Sequence, residues 1–158
     1  MEIYRRYAPA LLRKGERLLG NPSDAEDIVQ ALFVDLLSKG ETAVDLPYLF
    51  RAVTNRCLNL LRDRSNRARL AQRHADTDVA PARTRCDDQV IGLDLLLKLI
   101  DRLDARSVEI LVYRFLDDLT QDEIAVLLSI SRKTVGKRLE KIRGVVRTLS
   151  AGAPGAGA

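Results

Sequence analysis

Residues 120–143, TQDEIAVLLSISRKTVGKRLEKIR, allow few folds, because they combine two helix starts, one interruption and apolar residues at steps of three and four. Thr120 and Glu123 stand at the spacing where a hydroxyl and a carboxylate satisfy each other's free backbone donors, so a helix begins there. Ile124, Leu127 and Leu128 give it an inward face. Ser131 breaks the run and is placed to cap a second helix through the backbone donor of Thr134. On that helix Val135, Leu139, Ile142 and Val146 line up as one apolar stripe. At about 100° per residue, Lys133, Lys137, Glu140 and Lys141 fall opposite the stripe, with Gly136 and Arg138 towards its flanks. One face suits a core and the other a groove, which is the layout of a helix-turn-helix and makes DNA the first partner to consider. A bidentate base contact from such a face discriminates by about 1–3 kcal/mol.

Helical spacing fills the rest of the chain. Ile3, Tyr7, Leu11, Leu12 and Leu18 predict a helix over 2–19 that stops near Gly20, Asn21 and Pro22. Ser23-Asp24-Ala25-Glu26 reads as a second capping box, with acidic residues in the first turn where the helix dipole favours them. Ile28, Val29, Leu32, Phe33, Leu36 and Leu37 are the expected buried side, through to Gly40. Pro47 can open a third helix, since its missing donor is harmless there. Leu49, Val53, Cys57 and Leu60 take its core side. Tyr48, Arg51, Asn55, Asn59 and Arg62 line another face, and the helix runs on into Arg64, Arg67 and Arg69. An aromatic ring, two amides and a row of guanidiniums suit a nucleic-acid strand with exposed bases. Apolar periodicity resumes at Val90, Ile91, Leu95, Leu96, Leu99 and Leu103, and Asp104 caps a helix carrying Val108, Leu111, Val112 and Phe115. No stretch alternates in the manner of a strand. The expected fold is all-α: two small helical domains over 1–70 and 89–149, a flexible linker over 71–88, and a disordered tail over 150–158.

Charge supports this division. Residues 1–70 hold 12 basic and 9 acidic side chains, residues 71–119 hold 7 and 10, and residues 120–158 hold 7 and 3. Two basic ends flank an acidic middle, as if two modules touched one polyanion. Cys57, Cys86 and the single histidine, His74, have no metal-ligand spacing, so neither a metal nor another cofactor is expected. No Gly-rich phosphate loop, paired catalytic carboxylates or nucleophile with a base can be assembled, which argues against an enzyme. The longest apolar runs fall far short of the roughly 18 residues that cross a membrane. With no signal-peptide layout either, a reduced, cytoplasmic setting is expected.

Two motifs then give the pattern a family. Asp24-Ala25-Glu26-Asp27-Ile28-Val29-Gln30 followed by Phe33, and Glu123-Ile124-Ala125 with Thr134-Val135, occur in order on one chain. In this the chain resembles an extracytoplasmic-function sigma factor of bacterial RNA polymerase. The resemblance implies that Asp24, Glu26, Asp27 and Gln30 dock core polymerase. It implies that Tyr48, Arg51, Asn55, Asn59, Arg62 and Arg64 recognise and open the minus-ten element, and that Arg132, Lys133, Lys137, Arg138, Glu140 and Lys141 read the minus-thirty-five element. Promoter DNA, core polymerase and an anti-sigma factor or other regulator are the implied partners. The chain departs from the family pattern at Ala31, Tyr48, Asn59 and Gly136, where a glutamate, a tryptophan, an aspartate and a basic residue are common. Two other readings share these residues: a sigma mimic that occupies an anti-sigma factor without touching DNA, and an ordinary regulator using residues 120–143 alone.

Overall fold

The computed structural model describes residues 2–74 and 87–151. All regular structure among the described residues is helical. The chain divides into two compact units between Leu97 and Lys98.

In the first unit, α1 (Glu2–Leu19) packs on α2 (Pro22–Ser38) and on α3 (Leu46–His74), and α2 packs on α3. The α1–α2 crossing is close: a Cβ on Gly15 would sit 2.9 Å from Ala25 Cβ, so only a hydrogen fits at that point. The start of α2 differs from the capping box expected at Ser23. Asn21 is the cap, extended at φ −139° and ψ 116°, and its Oδ1 accepts from Ser23 N at 2.9 Å and Asp24 N at 3.4 Å. Pro22 explains the shift, since its ring fixes a helical φ and its missing N–H is one that no helix start needs. At the other end Gly40 adopts φ +66°, and Glu41 N donates to Leu36 O while Gly40 N donates to Leu37 O, closing the helix. Asp45 caps α3, its Oδ1 accepting from Tyr48 N at 3.0 Å, and Pro47 falls in the first turn as expected.

The core of this unit contains Leu11, Leu18, Val29, Leu32, Leu49, Val53, Cys57 and Leu58. Two expectations about its edges fail. Leu61 is buried where Leu60 was expected, because the steps of four from Leu49 to Cys57 continue to residue 61. Leu37 is 72% exposed rather than buried, because it lies on the outward side of the last turn of α2. Cys57 is buried, and burial pushes its thiol up to about 12 against the pull of Lys14. Lys14 is itself buried, with Nζ 5.4 Å from the centroid of the Phe50 ring.

α4 (Asp87–Arg102) spans the division between units. Leu96, Leu99, Ile100 and Leu103 are buried, whereas Leu95 is partly exposed. In the second unit α5 (Ala105–Leu111) runs into a π-helical turn (Val112–Leu116), followed by α6 (Gln121–Leu128) and α7 (Arg132–Ala151). Both α5 and α6 pack on α7. Tyr113 fills the interior, with its hydroxyl 3.4 Å from Glu109 Oε1. The wider turn carries Phe115 outward to 56% exposure, away from the buried position its spacing suggests.

The expected linker and tail begin inside helices. α3 continues through His74, past the limit at 70, and α7 ends at Ala151, inside 150–158. Residues 75–86, Cys86 among them, and 152–158 lie outside the described residues, as do the side chains of His74, Val90 and Ile91.

Candidate nucleic-acid interface

The helix-turn-helix is held at every joint. Thr120 Oγ1 accepts from Glu123 N at 3.2 Å, and the Glu123 carboxylate accepts from Thr120 N at 2.7 Å, completing the capping box. That backbone hydrogen bond, and then the one to the Thr120 side chain, hold the Glu123 carboxyl below its ordinary value. Ser129 takes a left-handed conformation at φ 54° and ψ 45°, and Ile130 N closes the turn on Ala125 O at 3.0 Å. Ser131 Oγ then accepts from Thr134 N at 3.1 Å, as its position implied.

On α7, Val135, Leu139 and Ile142 are buried, Val146 is half-buried, and Lys133, Lys137, Glu140 and Lys141 are exposed. The cations divide into two groups. Arg138 donates to Asp104 Oδ2 at 2.6 Å and to Ser107 Oγ at 3.2 Å, while Lys141 Nζ donates to Asp104 Oδ1 at 3.1 Å. Asp104 is also the cap of α5, accepting from Ser107 N at 3.2 Å. Partial burial opposes ionisation of this carboxyl. The hydrogen bonds from the Ser107 side chain, Lys141, Ser107 N and Arg138 outweigh it and hold Asp104 well below the usual carboxylate range. One acid thus fastens the start of α5 to the middle of α7. Lys133 and Lys137 make no ion pair among the described residues, and Arg132 has only a long, exposed contact of 3.6 Å with Asp122. A Cβ on Gly136 would lie 3.6 Å from Gln121 Oε1, ordinary contact distance.

Around α2 and α3 the acids also divide. Asp24, 21% exposed, accepts from Arg64 Nη2 at 2.8 Å, and Asp35 pairs with Arg56. The Arg56 hydrogen bond, followed by its charge, holds the Asp35 carboxyl below its ordinary value. Glu26, Asp27 and Gln30 stay exposed. On α3, Tyr48 is 48% exposed, Asn55 and Asn59 are exposed, and Arg51 and Arg62 are half-buried. These five succeed one another at steps of three and four and so share a face. Arg64 stands off that face, turned to Asp24. Beside Tyr48, the loop Gly40–Asp45 encloses an open cleft of about 510 Å³.

The model of sigma-70 region 2 matches residues 3–67, and that of sigma-70 region 4 matches residues 93–144. The extracytoplasmic-function RNA polymerase sigma factor SigE of Mycolicibacterium smegmatis is 29% identical over 154 residues, 92% of this chain. The chain belongs to the sigma-70 family, in its extracytoplasmic-function group. It spans 59% of the length of that relative. A solved structure of the sigma factor RpoE in complex with the anti-sigma factor NepR, from Bartonella quintana, shares the fold at 20% identity, with a TM-score of 0.51 and 96% of each chain covered.

In sigma terms, α1, α2 and most of α3 are region 2, and the helix-turn-helix of α6 and α7 lies in region 4. Sequence reasoning missed two side chains of region 2. Val34, 63% exposed, and Leu37 continue the outward row of Asp27 and Gln30 at steps of four and three. The signal was present in the spacing, but Leu37, next to Leu36, reads as core until the helix is placed, and Val34 was assigned to neither side. No group of acidic, histidine or cysteine side chains among the described residues is arranged to hold a metal. Among the described residues no helix is long and apolar enough to cross a membrane.

Proposed function

We propose that this chain is a transcription initiation factor which binds core RNA polymerase through α2, reads duplex promoter DNA with α7, and holds exposed bases of an opened strand along α3. The observation that carries this reading is the two regions in order on one chain, each with its polar face exposed: Asp27 and Gln30 on α2, Lys133 and Lys137 on α7. The row Asp27, Gln30, Val34 and Leu37 combines charge, amide and apolar surface, a composition suited to a protein partner.

On α7 the outward Lys133 and Lys137 meet the groove, Glu140 accepts from a cytosine amine, and Asp104 keeps the helix oriented through Arg138 and Lys141. On α3, Tyr48 stacks on an extruded base at the cleft of the Gly40–Asp45 loop, and Asn55 and Asn59 offer amides to base edges. Extrusion costs a few kcal/mol, which stacking and hydrogen bonds in the cleft must offset. The chain makes and breaks no bond in this scheme; catalysis belongs to the polymerase. A regulator of the anti-sigma kind is a third proposed partner, since the solved relative is captured with one.

Retention on immobilised core polymerase tests the docking half. Wild type is expected to be retained, and Asp27→Lys to be retained more weakly at unchanged thermal stability. Equal retention of the two proteins removes α2 from the docking surface.

A further inference from the structure

Gly136 stands inside α7, within about 60° of Lys133 and about 40° of Glu140 around the helix, at the edge of the outward face. Nothing in the packing of α7 calls for a glycine there. The positive φ values among the described glycines belong to Gly20 and Gly40, so the backbone at 136 is open to any residue. A Cβ would meet only Gln121 Oε1, at the ordinary contact distance of 3.6 Å. Glycine inside a helix is less stable than alanine, and alanine would fit, so the bare position serves something other than the helix. What it leaves uncovered is the side chain of Gln121.

Gln121 is the first residue of α6, half-buried, and its amide lies against Gly136 across the joint between the two helices. That amide makes no hydrogen bond among the described residues. The next two residues are acids: Asp122, exposed with its long contact to Arg132, and Glu123, which holds the cap. Two carboxylates beside the amide repel a phosphate, so a neutral partner suits it better. An amide offers a donor and an acceptor side by side. In the major groove adenine presents the matching pair, N7 accepting and the N6 amine donating, whereas guanine presents two acceptors, cytosine an amine, and thymine a carbonyl beside a methyl group. A long side chain at 136 would fill the space between this amide and the groove. Glycine keeps it open.

We propose that Gln121, reaching over Gly136, is a specificity-determining residue of the duplex reader and recognises an adenine in the major groove. This rests on the reading of α7 as the duplex-binding helix. The full chain bound to core polymerase selects duplexes from a pool with a randomised segment, and the bound molecules are sequenced. Positions whose preference is lost with Lys133→Ala/Lys137→Ala mark the segment that α7 reads. Gln121→Ala is expected to lower the preference for one A·T pair in or beside that segment by about tenfold, to leave the other preferences in place, and to unfold at the same temperature as wild type. Gly136→Arg, which fills the space over the amide, is expected to cost the same preference with Gln121 still present. If Gln121→Ala keeps every preference, weakens all of them equally or changes one at a G·C pair, or if Gly136→Arg keeps the preference at that A·T pair, the role of Gln121 is refuted while duplex reading by α7 stands. If no preference of the wild type depends on Lys133 and Lys137, both are refuted.

Discussion

Two basic helices, α3 and α7, have similar arginine and lysine patterns in sequence and use them differently in space. On α7 the cations are partly internal: Arg138 and Lys141 close on Asp104, and Lys133 and Lys137 remain for a partner. On α3, Arg62 donates to Asn59 and Arg69 to Asn66 along the helix, while the off-row Arg56 and Arg64 tie α3 to α2. A helix that reads a rigid duplex must be presented at a fixed angle, so binding part of its charge to its own unit is useful. A helix that holds an opened strand, as proposed for α3, needs its acid-bound cations off the row, as Arg56 and Arg64 are. A count of positive charges cannot separate these uses; the position of the acids can.

The contrast can be broken experimentally. The largest effect is expected at Tyr48→Ala, which removes a stacking surface and should raise the barrier to promoter opening by about 1–3 kcal/mol. A fluorescence opening assay should show this slowing with closed-complex formation unchanged, and equal effects on both steps would take Tyr48 out of the strand-holding row.

Next comes Asp104→Ala, which removes a helix cap and the shared partner of Arg138 and Lys141. Unfolding in urea should show a loss of about 1–2 kcal/mol, and duplex binding should weaken although a negative charge has gone. Tighter duplex binding would mean that Arg138 and Lys141 are readers restrained by Asp104. Asp104→Asn keeps the cap and loses the charge, so pH tests it separately. The folded carboxyl titrates below its ordinary value of 3.8. Its stabilisation is therefore fully present above that value and is lost as pH falls through the lower folded value. The gap between wild type and Asp104→Asn should be constant at neutral pH and shrink only below about pH 4. A gap that closes between pH 5 and 7 would assign the effect to another group.

Lys137→Ala should lower the salt slope of duplex binding by about 1 at unchanged stability, and an unaltered slope would leave the outward face of α7 without its proposed contact. The smallest effect belongs to Asp24–Arg64. A double-mutant cycle with alanine should give a coupling of about 0.2–1 kcal/mol, and none at all would leave Arg64 available to the strand.

Much of this was legible in the sequence for local reasons. Thr120 with Glu123, Ser131 with Thr134 and Asp104 with Ser107 act within three residues, so their spacing reveals their bonds. That Tyr48, Arg51, Asn55, Asn59 and Arg62 share one face followed from period alone. What stayed hidden depends on distant neighbours. Asp104 meets Arg138 and Lys141 across 34 and 37 residues, and Asp24 meets Arg64 across 40, so nothing in the local pattern assigned those cations an internal partner. Leu37 looked like core because amphipathic spacing tolerates one more apolar residue at the edge of a stripe. Phe115 was misplaced by the π-helical turn, which breaks the 3.6-residue period on which its placement relied.

The most direct test of the account is transcription with core polymerase, with and without this chain, on genomic DNA from the organism that carries the gene, with every transcript's 5′ end mapped by sequencing. The account predicts a discrete set of start sites that needs the chain and is lost with Lys133→Ala/Lys137→Ala. Identical start sites with and without the chain, under conditions where core polymerase is active, would contradict it.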